Sequence, residues 1–118
     1  VIGLENPRGE GLIARISVDE AGGVATSGDY RRFFEAGGVR YSHIIDPRTG
    51  WPARGLASVT VIAQSAALAD ALATAAFVLG PEDGAELVKR MGASAIFIPD
   101  SPGEPTFTIR PGISVELL

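Results

Sequence analysis

Asp70 and Thr74 stand four residues apart in an alanine-rich run, and His43 is the chain's one histidine. On a helix, residues four apart share a face and stack one above the other. One carboxylate and one hydroxyl on such a face, completed by substrate phosphate and water, is how magnesium tends to be held. The same spacing admits a plainer reading. Asp70 can accept a hydrogen bond from a strand or pair with an arginine, while Thr74 bonds back to its own helix. The neighbours Leu68, Ala69, Ala71, Leu72, Ala73, Ala75, Ala76, Phe77 and Val78 are all apolar. That pattern predicts a helix buried nearly all round, on which an unpaired carboxylate would be costly and would rather be neutral.

Two loops carry the other candidates. His43 precedes Asp46-Pro-Arg-Thr-Gly50, a sharp turn bracketed by Pro47 and Gly50. Such a turn can present Arg48 and Thr49 to an anion, and arginine offers paired donors for phosphate oxygens. A nearby histidine can take a proton from an attacking hydroxyl at neutral pH. Equally, a lone histidine at a strand end can be a structural hydrogen-bonding residue, and Arg48 a solvated surface charge. In Ser27-Gly-Asp-Tyr30, Gly28 allows close backbone approach, and Ser27 and Tyr30 bring hydroxyls. A plain turn is the alternative there. Neither a G-x-G-x-x-G fingerprint nor a P-loop is present, so Rossmann and Walker types of nucleotide binding lack support.

The elements that must position these residues follow from pattern. Val1 to Leu4 is a short apolar segment ending at the turn signal Asn6-Pro7. Leu12 to Val18 alternates as a half-buried strand does. Asp19 to Gly23 reads as a Gly-rich turn, and Val24 to Ser27 as extended. Tyr30 to Glu35 and Val39 to Ile45 flank Ala36-Gly37-Gly38, a hairpin signal. Leu56 to Ala63 is β-branched and apolar, as a central strand is. Ser65 fits as the N-cap of a helix over Ala66 to Leu79, stopped by Gly80-Pro81. A shorter helix over Glu82 to Met91 closes at Gly92. Strands are expected at Ala95 to Ile98 and Thr106 to Arg110, with an edge strand at Ile113 to Leu118. The fold class expected is α+β, mostly antiparallel sheet with two helices packed on it.

Composition narrows the class. The chain has 118 residues, of which 46% are hydrophobic and 20% charged; a domain of that size buries roughly two-thirds of its unfolded surface. A net charge of −4 with scattered arginines argues against a nucleic-acid partner, which wants a clustered basic surface. With no cysteine, neither a disulfide framework nor a thiolate zinc site can form. No apolar run reaches the roughly 18 residues of a membrane span.

Three segments then carry a family likeness. Val24-Ala-Thr-Ser-Gly-Asp-Tyr30, Tyr41-Ser-His-Ile-Ile-Asp-Pro-Arg-Thr-Gly50 and Ala69-Asp-Ala-Leu-Ala-Thr-Ala-Ala-Phe-Val-Leu-Gly80 occur in that order. Together they resemble the C-terminal half of FAD:protein FMN transferases, the ApbE family, and the likeness begins as early as Ile2-Gly-Leu-Glu-Asn-Pro7. The resemblance implies a magnesium-dependent enzyme that takes FAD and attaches FMN to a threonine hydroxyl of an acceptor flavoprotein, releasing AMP. By position it implies Asp70 and Thr74 as magnesium ligands and His43 as the base. It implies Ser27, Gly28, Asp29, Tyr30, Asp46, Arg48 and Thr49 as the lining of the FAD site. Hydrolysis of FAD to FMN and AMP, or a flavin-binding scaffold without turnover, are the alternatives. The resemblance further implies that residues 1–118 form one domain lacking the family's preceding half, which supplies the opposite wall of the pocket. Hence a homodimer or higher oligomer is expected. Family members are usually exported to the periplasm and often lipid-anchored.

Overall fold

The computed structural model describes residues 1–19, 22–30 and 33–118. Of the expected elements, Glu20 and Ala21 in the Gly-rich turn and Arg31 and Arg32 in the first strand of the hairpin lie outside these. Three strands, β1 (Ile2–Glu5), β2 (Leu12–Val18) and the C-terminal strand (Ile113–Leu117), make one antiparallel sheet with β2 in the middle. The tail is thus an edge strand, as its alternation predicts. A second sheet holds β3 (Gly23–Gly28) at one edge, followed by the strands over Leu56–Ala63, Ser94–Pro99 and Thr106–Thr108, all antiparallel. Between them in the chain come two short hairpins. One joins β4 (Phe33–Ala36) to β5 (Val39–Ser42), the other β6 (Ile45–Asp46) to β7 (Trp51–Pro52). The long strand Leu56–Ala63 is therefore β8, Ser94–Pro99 is β9, Thr106–Thr108 is β10 and the tail is β11.

The two-residue loop of the first hairpin, Gly37-Gly38, has φ of 58° and 78°. Both glycines take the left-handed backbone that such tight turns require. This places the turn where the sequence does, though β5 ends at Ser42, sooner than expected.

Helix α1 (Ala66–Leu79) has the predicted bounds. Ser65 Oγ accepts from the Leu68 N–H at 3.1 Å, satisfying one of the helix's orphan donors. Gly80, at φ 90°, ends it. Helix α2 (Pro81–Arg90) begins one residue earlier than expected, because proline is well suited to a first helical position that needs no N–H. Glu82 and Asp83 open it and Lys89 and Arg90 close it, which suits the helix dipole.

The helices cover one face of the β3–β8–β9–β10 sheet and the β1–β2–β11 sheet lies on the other. Val59, Val61 and Phe97 pack with Leu72, Phe77 and Val88 on the helix side. Ala57, Ile62, Ile96 and Ile98 pack with Leu4, Ala14 and Ile16 on the sheet side. All eight residues of β8 are consequently buried, the signature of a strand covered on both faces. Gly23 lets β3 press against α1, since a Cβ there would run into the backbone of Ser65 and Ala66. Among the described residues no helix is long and apolar enough to cross a membrane.

Candidate active site

One expectation fails at once: Asp70 and Thr74 are exposed, not buried. Helix α1 buries Ala69, Leu72, Ala73, Ala76 and Phe77, whereas Asp70, Ala71 and Thr74 open outward. Alanine explains the misreading. It counts as apolar in a periodicity pattern, but its small side chain loses little by facing water. Asp70 therefore carries no burial penalty that a partner must offset.

The open face of α1 forms one wall of a cleft of about 570 Å³. The end of β3 supplies Thr26, Ser27 and Gly28, and the loop between β5 and β6 supplies His43 and Ile44, continuing into Ile45 of β6. Ser27 Oγ lies 3.2 Å from Thr74 Oγ1, a hydrogen bond between wall and floor. Thr26 Oγ1 lies 2.8 Å from Thr60 Oγ1 across the strand pair. Gly28 sits under the Tyr30 ring, where a Cβ would strike ring carbons and come within 2.9 Å of Ala57 O. The structure thus brings together residues separated by more than forty positions in the chain.

His43 is exposed at a backbone kink fixed from beneath. Ser42, buried, accepts from the Ile44 N–H at 3.3 Å, and its hydroxyl lies 3.2 Å from Ile44 O and 3.4 Å from Ala53 O. The Ala53 N–H in turn donates to Ile44 O at 2.7 Å. The imidazole is therefore carried on a loop whose base is rigid.

Asp46, Arg48 and Thr49 stand beside the cleft in a turn that satisfies itself. Asp46 accepts from Arg48 Nε at 3.1 Å, Nη2 at 2.9 Å and the backbone N–H at 2.9 Å. Arg48 Nη2 also donates to Val78 O at 3.2 Å, near the C-terminal end of α1. The Arg48 side chain, then its backbone N–H, holds the Asp46 carboxyl below the usual carboxylate range; Asp46 raises the guanidinium in return. Thr49 Oγ1 accepts from the Trp51 N–H at 3.1 Å. Asp29 is likewise turned away, with both oxygens held by Arg8 at 2.7 Å. Sequence reasoning did not single out Thr26, Ile44 or Ile45. Thr26 belongs to β3, an edge strand whose consecutive residues can both reach an open end, and Ile44 and Ile45 follow His43 directly in the chain.

Could this set hold a cation? Among the described residues, no three His, Cys, Asp or Glu gather around one point, so protein alone does not build a cage. One carboxylate with hydroxyls is a hard-oxygen set that suits magnesium, which keeps waters and takes phosphate oxygens. It does not suit zinc, which prefers nitrogen and sulfur in a closed shell.

The model of the ApbE family matches residues 1–97. The chain belongs to the ApbE family. The FAD:protein FMN transferase of Treponema pallidum is 48% identical over 100 residues, covering 82% of this chain and 28% of that protein. That of Rhodobacter capsulatus is 42% identical over 95 residues, covering 80% of this chain and 18% of that protein. The chain is also similar to the crystal structure of the ApbE protein of Thermotoga maritima. There the TM-score is 0.79 at 47% identity, over 89% of this chain and 34% of the other. The apo flavinyl transferase ApbE of Pseudomonas stutzeri gives 0.57 at 49% identity, over 72% and 27%. This ApbE-family chain therefore spans between 18% and 34% of the length of these relatives, and its α+β architecture is theirs.

Proposed function

We propose that the chain supplies one wall of a flavin-transfer site acting on FAD, with magnesium held by Asp70 and Thr74. The observation that carries this reading is the cleft itself. Its lining joins Asp70 and Thr74 of α1 with His43, Ser27 and Gly28, and Ser27 meets Thr74 at 3.2 Å. Magnesium bound there would spread positive charge over the pyrophosphate and stabilise the departing AMP. Asp70 and the Thr74 hydroxyl bind and orient, and Gly28 lets the backbone approach the ligand without a Cβ in the way. His43, held on its kink at the mouth, takes the proton of an acceptor threonine as its oxygen attacks the FMN phosphorus. The P–O bond to AMP breaks, and FMN ends as a phosphoester of the threonine. Most of the catalysis in such transfers is positioning and electrostatics. The Asp46–Arg48–Thr49 turn shapes the rim near α1. The open side of the cleft takes its opposite wall from further polypeptide or from a second copy of the chain.

The test incubates the chain with FAD, magnesium and a threonine-bearing acceptor domain, and reads AMP release and acceptor mass. A mass gain of one FMN, lost in Asp70→Ala, supports transfer. AMP without a modified acceptor replaces transfer by hydrolysis at the same residues. Neither product nor FAD binding overturns the reading for this chain.

A further inference from the structure

The strand that brings Ser27 and Gly28 to the cleft ends on a carboxylate that the cleft does not use. Asp29 is 6% exposed, and its backbone N–H donates to Ala57 O at 3.0 Å, extending the β3–β8 pairing by one bond. Its two oxygens are taken singly by Arg8 Nη1 and Nη2, each at 2.7 Å. Arg8 comes from the turn between β1 and β2, in the other sheet. That turn is itself braced, since the Arg8 N–H donates to Asn6 Oδ1 at 2.9 Å and Nη1 to Pro7 O at 3.1 Å. A two-point fork on a buried carboxylate fixes direction as well as distance. The guanidinium is raised above its ordinary value, chiefly by its hydrogen bond to Asp29. The pair thus bolts one sheet to the other two residues beyond Ser27, whose hydroxyl meets Thr74.

We propose that Arg8 is a positioning residue of the cleft: through Asp29 it fixes the end of β3, holding Ser27 and Gly28 against the Asp70/Thr74 face. This rests on reading the cleft as a magnesium and pyrophosphate site. The competing view makes the pair a tie between sheets that contributes stability alone. The two views part on the conservative variant. Lysine keeps the charge but has no fork, so Arg8→Lys restores stability more fully than it restores the geometry of the strand end.

The experiment titrates magnesium with ADP as probe into the full chain and into Arg8→Met, Arg8→Lys and Ile62→Val. Titrations run well below each thermal midpoint, and exchange of the Asp29 amide is followed in parallel. Ile62 is buried in the other half of the core, so its truncation lowers stability without touching the cleft. Arg8→Met is expected to weaken magnesium binding about tenfold, the scale on which outer partners of metal ligands act, and to speed Asp29 exchange. Arg8→Lys regains the midpoint but little of the affinity, and Ile62→Val keeps the affinity. Equal losses in Arg8→Met and Ile62→Val, or full rescue by lysine, overturn the proposal. Should the unaltered chain show no magnesium-dependent ADP binding, the cleft reading itself falls. The Asp29 amide then decides alone whether Arg8 holds the strand end, and unchanged exchange in Arg8→Met refutes it.

Discussion

The two faces of α1 do different work from the same composition. One carries Leu72 and Phe77 into the core, where both are buried against β8 and β9. The other carries Asp70 and Thr74 to an open cleft. Both faces are filled out with alanine, which supports the helix everywhere and commits neither face to burial. A site wall built this way needs no sacrifice of stability. The buried face anchors the helix, and the open face is free to hold side chains chosen for chemistry alone.

If that division holds, substitutions on the buried face change folding. Phe77→Ala should have the largest effect, about 3–5 kcal/mol of lost stability for a fully buried phenylalanine, read as a lower urea midpoint with an unchanged slope. Next comes the seam between α1 and β3. Gly23→Ala would put a Cβ into the backbone of Ser65 and Ala66, and overpacking of this kind costs about 1–3 kcal/mol. Ser65→Ala removes the cap that accepts from Leu68 and should cost about 1 kcal/mol. An unchanged melting curve for any of these three would break the division from the buried side.

The sequence carries the scaffold more openly than the site. Both helices announce themselves through Ser65, Gly80 and Pro81, whose local chemistry acts within a few residues. β8 is legible from its β-branched run, and the first hairpin from Gly37-Gly38. The i, i+4 relation of Asp70 and Thr74 is equally local, and they do share a face. What the pattern misjudges is which way that face points, because alanine is silent between core and water. The partnership of Arg8 with Asp29 lies deeper still. It depends on how two sheets stack, and no spacing along one chain encodes that. Asp46 and Arg48 are hidden for a different, local reason. They look available to a ligand in sequence, yet each is taken by the other through a turn that closes on itself.

That turn gives a smaller effect, with a defined sign. Arg48 depresses the Asp46 carboxyl in the folded chain, so its stabilisation is fully present above the ordinary carboxylate pKa of about 4. It is lost as pH falls through the depressed folded value. Thermal midpoints followed downward from neutral pH should therefore drop less steeply in Asp46→Asn than in the unaltered chain. Parallel curves would mean that Asp46 contributes nothing to the acid limb.

The smallest effect on folding is expected at the residue that we propose as the cleft's magnesium ligand. Asp70 is exposed and belongs to the open face, so Asp70→Asn should change stability by no more than about 0.5 kcal/mol, the ordinary range for surface sites. Its consequence should appear only through linkage. A ligand that binds the folded state alone raises the midpoint as its concentration passes Kd. Magnesium added with ADP should thus raise the midpoint of the unaltered chain and leave that of Asp70→Asn where it was. Two results would erase the division between the faces. A large loss of stability without ligand would make Asp70 structural after all. A magnesium response that survives the substitution would place the cation elsewhere, because an amide in place of a carboxylate removes the one full negative charge that α1 offers to the cleft.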